Sequence, residues 1–124
     1  LQKYISLTLA DHCRPLLKNC SYLVGAGGSI VFLRQLISSA NHIELNEESI
    51  LPESAIKKIA MEINSLDLAS RIEQFPLLPS DRADVFPAAL LVILELLYFC
   101  ELTSLTHSFH NLRYGVAEEI LNSQ

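Results

Sequence analysis

The chain has 124 residues, half of them apolar, and a formal net charge of −5. That length suits one modest domain, and that apolar share excludes a disordered chain. The acids are spread out, and of the nine basic residues only Lys57 and Lys58 are adjacent, so no clustered basic face is offered to DNA, RNA or an anionic membrane.

Residues 2–19 carry a rough helical stripe of Tyr4, Ile5, Leu7, Leu9, Cys13, Leu16 and Leu17, which Pro15 kinks or divides. "SYLVG" (21–25) then reads as a short buried strand. From Ser29, a suitable N-cap, "SIVFLRQLISSA" reads as a helix. "NHIELNEES" (41–49) is a polar, exposed loop. "LPESAIKKIAMEINSLD" carries a strong helix signature, with Pro52 in the first turn and a stripe of Ile56, Ile59, Ala60 and Ile63. "LASRIEQF" makes a second short helix, stopped before Pro76, and "PLLPSDRAD" is a turn-rich connection.

"VFPAALLVILELLYFC" (85–100) is a long apolar helix. It is either kinked at Pro87 or begins close to Asp84. At 16 residues, interrupted by Glu95, it falls short of the roughly 20 residues a bilayer requires and reads as a buried core helix. "LTSLT" (102–106) is a second strand. "NLRYGVAEEILNS" closes the chain as an amphipathic helix with Asn111 as N-cap. Two short strands among five or six helices describe a mostly helical α/β domain. Two strands make a poor sheet alone. Their separation by helices predicts a parallel pair belonging to a larger sheet. Such a piece is expected to expose an apolar edge and to self-associate, as a homodimer for instance. The chain opens on Leu1 rather than Met, which also reads as part of something longer.

Three cysteines, Cys13, Cys20 and Cys100, with no CxxC, fit a reducing cytoplasm. Cys13 and Cys20 are spaced to share a helix face. A metal pair there is the sharper reading, and buried thiols packed as small hydrophobes are the plainer one. His107 and His110 form an HxxH without a supporting ligand, so packed or surface histidines are preferred and no metal site is assigned.

Gly25, Gly27, Gly28 and Ser29 stand between a strand and a helix. Glycines there permit positive φ and close backbone approach, and the helix start offers free N–H groups and partial positive charge to a phosphate. The competing reading is a packing turn, since the stretch is neither a P-loop nor GxGxxG. In "SDRAD" (80–84), Arg82 suits bidentate grip of a phosphate. The competing reading is a helix start capped by Asp81 or Asp84, with Arg82 ion-paired to a neighbour. Arg113 opens the last helix and is either directed at the same crevice or solvated. No nucleophile–base set, zinc-protease helix or outstanding carboxylate pair is visible, so no catalytic residue is assigned.

Taken together, "VGAGGS", "LPSDRADVFPAALLVILELL" and "LTHSFHNLRYGVAEEIL" resemble the exopolyphosphatase and guanosine pentaphosphate phosphohydrolase (Ppx/GppA) family. In that family a GxGGT turn follows a strand, ERAD or DRAD opens a long apolar helix, and an SDRGLREG-like segment leads into the last helix. "DRADVFPA" is the most specific of the three. The resemblance implies an actin-like ATPase (ribonuclease-H-like) fold, with residues 1–124 as the C-terminal portion of the second domain. It implies a bacterial, cytoplasmic parent that releases terminal phosphate from polyphosphate or pppGpp with Mg²⁺, which is held mainly outside this chain. Guanosine penta- or tetraphosphate and polyphosphate are the implied ligands.

The family's catalytic glutamate and main phosphate loops lie upstream, so this chain alone is expected to be inactive and to hold no cofactor. Gly25, Gly27 and Gly28 match the turn, and Ser29 keeps the hydroxyl of the usual threonine. Arg82 and Asp84 match, as do Ser108, Leu112, Arg113 and Gly115. Phe109, His110, Asn111 and Tyr114 stand where Asp, Arg, Gly and Glu are usual. That departure opens an alternative, a non-catalytic relative that binds the alarmone or a protein partner.

Overall fold

A computed structural model describes residues 1–13, 19–41 and 50–123. The Pro15 kink and most of the 41–49 loop lie outside the described residues. Helix α1 spans Gln2–His12, and strand β1 is Val24–Gly25. Helix α2 is Gly28–Asn41, strand β2 Ile50–Pro52 and helix α3 Glu53–Asn64. Helices α4 (Leu68–Gln74) and α5 (Phe86–Phe99) precede strand β3 (Ser104–His107) and helix α6 (Leu112–Asn122).

The described sheet has the order β1-β3-β2. The expected parallel pair is there: Val24 faces Thr106 and Gly25 faces His107. The third strand, β2, pairs antiparallel with β3 and places Leu51 against Leu105. Sequence reading missed β2 because Pro52 resembles a helix start. Pro52 is in fact both the last strand residue and the N-cap of α3, a position open to proline because β2 lies at the edge. β1 is also shorter than "SYLVG" suggests, and Val24 is exposed.

The core forms where α2, α3 and α5 converge on the sheet. Leu33, Ile56, Ile63, Phe86, Leu90, Leu97 and Leu105 are its most buried large side chains. The α3 stripe is buried as its spacing demands. Pro87 does not kink α5. It sits in the first turn, where its missing N–H leaves no bond unmade. At the other end, Glu101 takes φ 55°, its N–H donates to Tyr98 O, and Leu102 N–H donates to Leu97 O at 2.9 Å. That paired closure ends the helix and turns the chain into β3.

Glu95, the charge that interrupts the apolar run, is buried and accepts from Gln2 Nε2 at 2.6 Å and Ser6 Oγ at 2.5 Å. It thereby ties α1 to α5. Asp67 caps α4 through Ser70 N–H at 2.8 Å, which holds its carboxyl below the usual range. Cys100 is buried, and burial, then hydrogen bonding with Cys20, pushes its thiol up. No described helix is long and apolar enough to cross a membrane. Every described residue of α6 is exposed, and Asn111 caps it through Arg113 N–H as its sequence suggests.

Candidate functional site

The turn between β1 and α2 divides its glycines among three tasks. A Cβ on Gly25 would stand 3.0 Å from two atoms of Ile30 and 3.2 Å from Leu105 Cδ2. Gly25 is therefore needed for the close approach of α2 to the sheet. Gly27 has φ 96° with open space around it, so backbone conformation alone selects it. Its carbonyl accepts from Val31 N–H at 3.1 Å, which makes it the N-cap in place of Ser29. Ser29 lies within the first turn.

Gly28 has neither constraint. A Cβ there would meet Arg82 Nη1 at an ordinary 3.8 Å. The fold thus brings a guanidinium from residues 80–84 to the first turn of α2, two segments more than fifty residues apart in sequence. Arg82 itself is exposed, and Val85, not Asp81 or Asp84, holds the N-cap position of α5 without a side-chain hydrogen bond. The ion pair found among the described residues is Lys57–Glu53, at 2.7 Å. The first-turn N–H groups of α2 have no intrahelical acceptors. With Arg82 they compose a small concentration of donors and positive charge suited to an anion.

Replacing Gly27 with alanine is expected to destabilise the chain by about 1–3 kcal/mol, because an L side chain at that φ is strained. Urea unfolding checks this, with Gly28→Ala as the comparison that leaves stability nearly unchanged.

Arg113 enters differently. Ser108 N–H donates to Gly25 O at 2.8 Å, so the segment leading to α6 departs from the side of the glycine turn. Arg113 lies exposed in the first turn of α6.

A second group at this end of the sheet joins His107 and Phe109, noted singly in the sequence, to Arg34, which was not. Arg34 of α2 and His107 of β3 are buried, with 4% and 3% exposure. Arg34 Nη1 lies 3.1 Å from His107 Nδ1. Phe109 packs over both, its ring centre 4.3 Å from Arg34 Cζ and 4.7 Å from the imidazole centre. The signal was present: Arg34 falls on the Ile30–Leu33–Ile37 stripe, and His107 follows Leu105 by two in a strand.

Burial, then the charge of Arg34, holds the His107 pKa below 6.5. The unfolded chain therefore takes up this proton at a higher pH than the folded chain does. The His107 contribution to stability is complete above about 6.5 and declines as pH falls below it. Melting at pH 7.5 and pH 5 is expected to show a smaller acid loss in His107→Gln than in the parent sequence. His110 pairs edge-to-face with Tyr114 instead of joining His107. Among the described residues, no three His, Cys, Asp or Glu side chains are grouped to hold a metal.

No protein-family model matches the sequence, and no curated protein matches it. Solved structures do. The Ppx/GppA family member of Aquifex aeolicus matches 98% of this chain with TM-score 0.78 and 23% identity. A further structure of the Aquifex aeolicus enzyme matches 95% with TM-score 0.82 and 23% identity. An exopolyphosphatase from Cytophaga hutchinsonii matches 98% with TM-score 0.82 and 16% identity. This chain covers 41%, 39% and 42% of those chains respectively. The fold of the described residues is that of the matching part of these Ppx/GppA structures, the family that the segments at 24–29, 78–97 and 105–121 resemble.

Proposed function

We propose that this chain is the C-terminal portion of the second domain of a phosphoanhydride hydrolase that releases terminal phosphate from polyphosphate or pppGpp. In this reading it lines the substrate cleft and is inactive alone. The observation that carries the reading is Arg82 Nη1 beside Gly28, where an added Cβ would stand 3.8 Å away, in a fold shared with exopolyphosphatases. Arg82 grips two oxygens of a phosphate in the chain or alarmone. The N–H groups at the start of α2 donate to a third. Ser29 adds a hydroxyl at the same turn, and Arg113 supplies charge from the start of α6.

The grip holds the terminal phosphoryl group for attack by a water, whose carboxylate base comes from outside these residues. The Mg²⁺ of such a reaction is assigned to the rest of the protein, where it would offset phosphate charge.

A specific observation favours a second reading. Phe109, in place of an aspartate, packs onto Arg34 and His107, which suits a non-catalytic relative that binds the alarmone. Phosphate release from polyphosphate and pppGpp by the protein as expressed from its whole reading frame separates the two. Release in the whole protein and none from residues 1–124 supports the first. Tight alarmone binding without release supports the second. Neither binding nor release overturns both.

A further inference from the structure

The imidazole of His107 has one nitrogen accounted for and one left over. A guanidinium has no acceptor, so Arg34 Nη1–H donates to Nδ1. That fixes the neutral tautomer with its proton on Nε2. Nε2 is buried and has no hydrogen-bond partner among the described residues. A buried N–H without an acceptor is costly, on the order of 1–3 kcal/mol, and folded proteins seldom retain one without a reason.

Its place in the fold suggests the reason. His107 pairs with Gly25, the last residue of β1, and the next residue, Ser108, donates to the Gly25 carbonyl. The orphan donor therefore stands at the carboxyl end of the parallel strand pair, the end where open α/β sheets receive ligands. Arg34 beside it sets a positive field that favours an anionic acceptor over a neutral one. A protonated Nε2 cannot ligate a metal, which removes that alternative. Phe109 covers the imidazole from outside, with 55% of its own surface exposed. It is a side-chain cover, not part of the core.

We propose that His107 Nε2–H, backed by Arg34 and covered by Phe109, is an oxyanion-binding site that takes a phosphate oxygen when the Phe109 ring swings away. The proposal does not depend on hydrolysis. The phosphate belongs either to an inorganic chain or to a nucleotide, because the donor reads only the oxygen.

The test titrates inorganic pyrophosphate and, separately, GDP into the chain and its Phe109→Ala variant, following the His107 Nε2–H resonance by NMR. Phe109→Ala is expected to bind at least one of the two about tenfold more tightly than the parent sequence, because the cover no longer competes. Saturation is expected to move the Nε2–H resonance downfield. Adding His107→Leu to Phe109→Ala is expected to abolish the gain. Which probe binds identifies the source of the phosphate. Equal affinity with and without Phe109, or an unmoved Nε2–H resonance at saturation, overturns the proposal. So does a double variant that binds like Phe109→Ala. If the double variant does not fold, the resonance in Phe109→Ala decides.

Discussion

Phe86→Ala is expected to lower unfolding stability by about 3–5 kcal/mol. Phe86 is 2% exposed, opens α5, and belongs to the core cluster with Leu33, Ile56 and Leu90. Truncation removes the transfer free energy of a ring and leaves a cavity that three packed helices cannot readily close. Small domains hold only about 5–15 kcal/mol in total, so this loss removes a large share of the stability. Urea unfolding at 25 °C measures it. Val85→Ala, one residue away but exposed, is expected to change stability by less than about 0.5 kcal/mol. Similar losses at both positions would contradict the packing described for the start of α5.

Arg82→Ala is expected to lower kcat/KM for phosphate release by the whole protein about 10- to 100-fold. That range corresponds to one lost charge-assisted hydrogen bond at about 1.5–3 kcal/mol. Arg82→Lys is expected to recover part of the loss, since an ammonium restores charge but not the planar two-pronged grip. Stability should be nearly unchanged in both, because Arg82 is exposed. Steady-state kinetics with polyphosphate and pppGpp provide the measurement. Unchanged kinetics in Arg82→Ala would remove Arg82 from the cleft.

Much of this fold is legible because its signals are local. The α3 stripe, the Asn111 cap and the apolar α5 each depend on neighbours within a turn or two. β2 was not legible, because three residues ending in proline carry no periodicity, and their strand character comes from β3 alone. The glycine turn was legible as a turn but not in its division of labour. Gly25 answers to Ile30 and Leu105, Gly27 to its own φ, and Gly28 stands beside an arginine brought from afar. A competing reading of "SDRAD" as a capped helix start rested on neighbouring charges, and long-range packing overrides it. His107 and Phe109 were noted singly in the sequence, but their grouping with Arg34 was not legible there. Arg34 and His107 lie 73 positions apart, beyond any periodic signal.

The central claim is that the start of α2 and Arg82 form one phosphate-binding wall. An NMR titration with inorganic tripolyphosphate tests it most directly. The account predicts that the backbone amides of Gly28, Ser29 and Ile30 and the Arg82 side-chain N–H signals shift together along one binding curve, and that Arg82→Ala weakens the amide response. Shifts confined to other residues, or amide shifts that are indifferent to Arg82, would contradict it.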